Sequence, residues 1–529
     1  MDSLDRRDFL ALATLAAAGV TISASANTSG QRAGFDPEER SIAELQAAMK
    51  SGRTTSAALT TWYLARIRTL DKKTNSIIEI NPDALNIARE LDRERKAGKV
   101  RGPLHGIPIV IKDNIDTADR MKTTAGSLAL AGDPTPARDA SLVEQLRKAG
   151  AVILAKTNLS EWANFRDNAS SSGWSGRGGQ TRNPYIVDRN PCGSSSGSAV
   201  AVAANFAAAA IGTETDGSIV CPSSVNGIVG LKPTVGLISR SGVIPISASQ
   251  DTAGPMTRTV ADAATLLSVL TAVDPHDAAT LENSAKARTD YETFLNADGL
   301  RGARIGVARD YWGKREAVDK VTNAALDVMR RAGAVLVDVK FPDLQKFGDA
   351  ENLILQYEFK DGIEKYLSAR NSRYRTLDDL IKFNKDNAAK EMPVFGQDVF
   401  EASAKRGDLS SKEYREALET ARKYARKEGI DKVMDAGKLD AVVAPSNGPV
   451  WAIDLISGDC GSGYVSSSSM PAVAGYPNIT VPAGYVKELP IGISFFGRAY
   501  SEPTLIKIAY AYEQASKARR KPKFLPTAA

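Results

Sequence analysis

Gly106-Ile107-Pro108-Ile109-Val110-Ile111-Lys112 is a short apolar run bounded by turn residues, and its reading decides the fold class. A run of this length, rich in branched residues, reads as a buried strand. A charged, periodic helix follows from about Arg138 to Ala149, and a second buried strand, Ala151-Val152-Ile153-Leu154, comes directly after it. Strand, helix, strand at this spacing predicts an α/β layer with at least part of its sheet parallel. Outward from this core, residues 41–70 and 82–96 read as helix. Residues 198–210 are almost all small and apolar, which predicts a helix that lets its neighbours approach closely. Residues 290–438 are mostly charged amphipathic helix, interrupted by apolar strands near 304–308 and 335–339. Strands near 441–444 and 491–496 and a helix over 503–518 return the end of the chain to α/β character. No internal repeat is present, so the expectation is one large α/β domain with a helical insertion at about 290–438.

Composition narrows the classes. With 529 residues and a formal charge of +6, the chain has the make-up of an ordinary soluble globular protein and lacks the clustered basic face expected of a nucleic-acid binder. Its densest basic run, Lys517, Arg519, Arg520, Lys521 and Lys523, reads as a solvated helix terminus. At the N-terminus, Arg6-Arg7-Asp8-Phe9-Leu10 precedes an apolar stretch, and Ala24-Ser25-Ala26 supplies a small-residue cleavage site. The stretch is short for a membrane span and resembles a twin-arginine export signal. Residues 1–26 are therefore expected to be a signal peptide. The mature chain would then carry no membrane span and work in a bacterial periplasm or outside the cell. Cys192 and Cys221 each lie close to a candidate catalytic serine. A bond between them is open to an exported protein, but two small packed thiols are the favoured reading. Cys460 sits in a Gly/Ser-rich loop. With no C-x-x-C pair and no histidine cluster, no metal site is expected.

The two histidines restrict the chemistry. His276 lies in the turn Asp274-Pro275-His276-Asp277, and His105 precedes the first strand, where it packs or caps. The one G-x-S-x-G match, Gly193-Ser194-Ser195-Ser196-Gly197, follows a Gly/Ser/Asn/Pro-rich loop and not a strand, so it is no nucleophile elbow. A serine hydrolase built from this chain needs a base other than histidine. Serines stand in two loops, Cys192-Gly193-Ser194-Ser195-Ser196-Gly197-Ser198 and Glu214-Thr215-Asp216-Gly217-Ser218-Ile219, and Lys112 ends the first strand, followed by Asp113-Asn114. The first loop alone might cradle a phosphate in a non-catalytic module, but no Gly-Lys-Ser/Thr follows it.

Together with Lys156-Thr157-Asn158-Leu159-Ser160-Glu161, Gly227 to Thr234, Pro490-Ile491-Gly492 and Gly497-Arg498, these segments resemble the amidase signature family. The resemblance runs over nearly the whole mature chain. It implies a single large domain with a central mixed β-sheet covered by helices on both faces, and catalysis without metal or cofactor. It also implies a Ser–cisSer–Lys relay with an acyl-enzyme intermediate, in which Lys112 is the base, Ser194 the bridging serine and Ser218 the nucleophile. Two departures from the commonest pattern, Cys192 to Gly197 and Asp216 to Val220, remove no triad member. They look like the branch of bacterial peptide amidases, as do Ser160 to Arg166 and Glu391 to Gln397. That likeness alone implies removal of ammonia from the C-terminal carboxamide of peptides. The alternatives are a hydrolase of aryl, acyl or aliphatic amides and an amidotransferase subunit that hands ammonia to a partner. The export signal argues against the second, and a monomer is expected.

The relay also follows from chemistry. A serine hydroxyl attacks poorly unless a base removes its proton. Lysine at its ordinary pKa of about 10.4 is protonated, but burial at the end of an apolar strand can bring it to roughly 7–8. Backbone N–H groups around Thr215, Asp216, Gly217 and Ser218 are expected to hold the oxyanion, and Gly217 permits the tight backbone this needs. Asp216 either orients the loop or meets the substrate. Asn164 is a further candidate for holding substrate.

Overall fold

A computed structural model describes residues 35–341, 347–459 and 465–528. Met1–Asp36 clusters as a unit of its own, so the fold described is that of Pro37–Ala529. The segment read as an export signal, residues 1–26, and Cys460 lie outside the described residues.

Among the described residues, eleven strands form one sheet. In chain order they are β1 (Ile77–Ile80), β2 (Pro108–Lys112), β3 (Val152–Thr157), β6 (Ala209–Glu214), β7 (Val229–Lys232), β8 (Thr252–Thr257), β9 (Arg304–Ala308), β10 (Val335–Val339), β11 (Ala441–Pro445), β14 (Asn478–Val486) and β15 (Leu489–Phe496). The two-residue strands β4 (Trp174–Ser175) with β5 (Gly179–Gln180), and β12 (Asn447–Gly448) with β13 (Val465–Ser466), make small separate ladders. The sheet order is β1-β3-β2-β6-β8-β7-β14-β15-β11-β9-β10. β2 runs parallel to β3 and β6, and β9 parallel to β10 and β11, while β8, β14 and β15 pair antiparallel with their neighbours. The sheet is thus mixed, as the family resemblance implied. Every residue of β2, β3, β6, β8 and β11 is buried, as expected of strands with both faces covered by helices.

Four sequence readings change. Residues 41–70 form two helices, Ile42–Lys50 and Ser56–Leu70, rather than one. Ser41 caps the first with Glu44 in a capping box, Thr55 caps the second, and Gly52 turns between them at φ 71°. The small-residue run 198–210 is divided too: its helix, Ser196–Ala203, ends before Asn205 at φ 59°, and Ala209 opens β6. Alanine favours helix locally, but pairing between β2 and β8 overrides that preference. β9 and β10, inside the stretch read as a helical insertion, form the far edge of the main sheet. Finally, Arg519 is not a solvated terminus: it pairs with Glu39 at 2.7 Å and donates to Gly227 O and Ala203 O.

Candidate active site

The site forms at the C-terminal ends of β2 and β6. Lys112 is the last residue of β2, in register with Thr157 of β3. Thr213, near the end of neighbouring β6, lies beside it. The helix Ser196–Ala203 packs over β2, β3 and β6, which brings the loop before it onto the lysine. Gly197 makes that approach possible, because a Cβ there would stand 2.3 Å from Ser76 O and 2.5 Å from Asn158 O. The chain after β6 then carries Ser218 to the same point.

Lys112 Nζ donates to Ser194 Oγ at 2.7 Å, and Ser194 Oγ donates to Ser218 Oγ at 3.0 Å. The three residues predicted to act together are therefore in one hydrogen-bonded line. The Gly193–Ser194 peptide is cis. Ser194 does not cap the following helix: Ser195 occupies that position, with its hydroxyl donating to Thr213 O at 3.0 Å. Ser194 Oγ is thus left to the other two side chains. Lys112 and Ser194 have no exposed surface, whereas Ser218 keeps 7 %. The line runs from a dry lysine to a serine at the edge of solvent.

Two further bonds define the lysine's state. Nζ also donates to Thr213 Oγ1 at 2.8 Å and Thr213 O at 3.3 Å. Three acceptors match the three protons of an ammonium; with one proton lost, two N–H remain on Thr213 and the lone pair faces Ser194. Burial brings Lys112 down to about 7, against the opposing charges of Asp251 and Glu214. The lysine therefore changes protonation in the range where a general base is useful.

The nucleophile loop is held from both sides. Glu214 Oε2 accepts from Ile219 N at 2.8 Å and Val220 N at 3.0 Å. Gly217 sits at φ 78°, where a side chain is strained, and a Cβ would come within 2.9 Å of Ser468 Oγ. Among the described residues, the backbone N–H groups of Asp216, Gly217 and Ser218 donate to no protein acceptor, so they are available to an oxyanion. Thr215 is tied elsewhere by its side chain, donating to Asp251 Oδ1 at 2.6 Å. Cys192 and Cys221 are joined by a disulfide, with 6.1 Å between their Cα atoms. The favoured reading of two free thiols is corrected. The bond links the loop of Ser194 to the helix after Ser218.

A cleft of about 410 Å³ opens beside these loops, lined by Asn164, Gly193, Asp216, Gly217, Trp451 and Asp459 among others. Asp216 Oδ2 accepts from Ser469 Oγ at 2.6 Å, which ties the loop to Ser469, while Oδ1 has no partner. Asn164 Nδ2 donates to Ser172 Oγ at 3.1 Å and its Oδ1 is unpartnered. Asn164 follows Trp162 and Ala163, and all three hold positive φ, at 67°, 49° and 56° respectively. Non-glycine residues adopt this conformation at a cost of about 1–3 kcal/mol each, and such strain gathers at functional sites. Arg166, fully buried, pairs with Glu161, donates to the carbonyls of Glu391 and Phe395, and packs its guanidinium 4.2 Å from the Phe395 ring centroid. It secures the strained loop to the Glu391–Phe395 segment.

Neither histidine hydrogen-bonds to the triad among the described residues. His105 is buried at the opposite end of β2, its ring held by Leu91 O and Arg101 N, and burial keeps its pKa below the usual value. His276 is exposed. Thr213 and Asp251 were not singled out in the sequence; Arg166 and Glu391 lie in the two stretches that resemble peptide amidases, but nothing in the sequence showed that these stretches are joined. The one available signal was Thr213 itself, a hydroxyl near the end of an otherwise apolar run that enters the serine loop.

Residues 58–506 match the family model described as Amidase. The crystal structure of native peptide amidase from Stenotrophomonas maltophilia is similar over 92% of this chain and 99% of its own, at 51% identity and a TM-score of 0.88. A probable amidase from Arabidopsis thaliana is 41% identical over 502 residues, 93% of each chain. A glutamyl-tRNA(Gln) amidotransferase subunit from Thermoanaerobacter pseudethanolicus is 32% identical over 496 residues, 91% of this chain and 97% of its own.

Proposed function

Given that this chain belongs to the amidase family and is an amide hydrolase, we propose that it removes the C-terminal carboxamide of peptides and releases ammonia. The observation that carries the chemistry is the unbroken line from Lys112 through Ser194 to Ser218, with burial increasing toward the lysine. Neutral Lys112 takes a proton from Ser194, which takes one from Ser218 as its Oγ attacks the carbonyl carbon. The N–H groups of Asp216, Gly217 and Ser218 receive the oxyanion; one such donor contributes about 2.7–4 kcal/mol. The relay then runs in reverse and protonates the nitrogen, the C–N bond breaks, and ammonia leaves an acyl-Ser218. Water adds to that ester by the same base, and the free acid departs.

The peptide substrate is supported by 51% identity to a peptide amidase over nearly the full length of both chains. We propose further that the enzyme is exported and works as a lone chain. The paired arginines Arg6-Arg7 ahead of an apolar stretch support export. So does the Cys192–Cys221 disulfide, since such bonds persist in oxidising compartments. The test is a panel of amidated dipeptides, aryl amides and fatty amides, with ammonia or amine measured for the single purified chain. Amidated dipeptides should have the highest kcat/KM, and Ser218→Ala should remove the activity. A preference for aryl or fatty amides, or activity only with a partner protein, overturns the substrate reading.

A further inference from the structure

Among the described residues, the cleft beside Ser218 is lined by two carboxyl groups, those of Asp216 and Asp459, and by no cationic side chain. Asp216 stands two positions before the nucleophile. Burial raises the carboxyls of both Asp216 and its neighbour Glu351, and Asp216 raises Glu351 further. The buried Lys232 lies behind the loop, shared among Glu214, Glu502 and Asp216, with Nζ donating to Pro233 O, and does not line the cleft. Asp459, exposed at the mouth, accepts from Ser172 N and Trp451 Nε1, each at 3.0 Å. Asp216 and Asn164 each hold an oxygen without a donor.

We infer that this cleft separates the amide from the acid of the same acyl group, with Asp216 as the specificity-determining residue. The inference rests on the amide-hydrolase reading of the site and extends it to the product. A carboxamide end brings N–H donors and no charge, which suits a lining rich in acceptors. A carboxylate end brings one negative charge and finds no arginine or lysine to pair with, the partner such groups ordinarily require. Hydrolysis therefore converts a ligand the cleft holds into one it expels. The new free C-terminus is not held for a second cut, so each peptide is processed once.

Binding is measured in the Ser218→Ala protein, which holds ligands without turning them over, by calorimetry with an amidated dipeptide and the free acid of the same sequence. The acid should bind at least about fiftyfold more weakly, the scale of a unit charge several ångströms away at an effective dielectric of about 20. Adding Asp216→Asn should narrow the ratio about tenfold or more, while Asp459→Asn, exposed and screened, should narrow it only about two- to threefold. An acid that binds within threefold of the amide overturns the inference, as does a ratio indifferent to Asp216→Asn. Should that variant fail to fold, the ratio in Ser218→Ala alone decides. If amidated dipeptides neither bind nor turn over, the peptide reading fails instead, and the same comparison is made with whichever amide the enzyme does hydrolyse and its acid.

Discussion

Replacing Asp251 by Asn should make the enzyme work at lower pH. Lys112 titrates at about 7 because burial outweighs the nearby carboxylates, and Asp251 is the largest of the opposing charges. Asp251 is itself raised to about 6 by burial, so it is charged when the lysine titrates. A unit charge several ångströms away at an effective dielectric of about 20 is worth roughly 2 kcal/mol, or about one to two pH units. The sign follows from the role of the base. Only neutral Lys112 accepts a proton, so kcat/KM falls on the acid side of about 7. Removing Asp251 withdraws support from the ammonium, lowers its pKa and moves that limb down. At pH 6 the wild type should retain about a tenth of its plateau and the variant about half or more. Asp251 also accepts from Thr215 Oγ1, Ile246 N and Ser247 N, so the variant should lose about 1–3 kcal/mol of stability. The assay is ammonia release from an amidated dipeptide between pH 5 and 9.5, with thermal melts to confirm folding. A limb that stays in place, or moves to higher pH, refutes the electrostatic account of Lys112.

Lys112→Met should abolish activity yet stabilise the fold at pH 6 by about 1–4 kcal/mol. The folded lysine titrates at about 7, below the unfolded value of about 10.4, so its cost is full below the first and fades as pH rises toward the second. Urea melts at pH 6 and pH 10 should show the gap closing. Replacing Cys192 and Cys221 together by Ala, which opens a loop of sequence separation 29, should cost about 3–4 kcal/mol in the same melts. Arg166→Met should cost about 3–5 kcal/mol, because it leaves Glu161 buried without its partner.

The parts of the site that were legible beforehand lie in dense local patterns. Lys112 ends an apolar strand, and Ser194 and Ser218 sit in Gly/Ser-rich loops whose turn chemistry reads directly from the residues. The strands at 304–308 and 335–339 were equally plain, being short apolar runs among charged helix. Their membership of the main sheet was not, because strand order is a property of distant pairing. The alanine run at 198–210 misled for the same reason: alanine suits helix or buried strand, and only the neighbours β2 and β8 decide. Asp251 and Thr213 escaped notice because their importance lies in what they touch across the sheet. The Cys192–Cys221 bond needed the two loops to be brought together before it could be read.

The most direct measurement is the site of covalent attachment during turnover. An amidated dipeptide mixed with the enzyme, quenched in acid within milliseconds and digested, should leave the dipeptidyl group on the peptide containing Ser218. The adduct should be absent from Ser218→Ala and should not accumulate in Lys112→Met. Attachment at Ser194, or turnover of the amide with no adduct on either serine, would contradict the relay from Ser218 through Ser194 to Lys112.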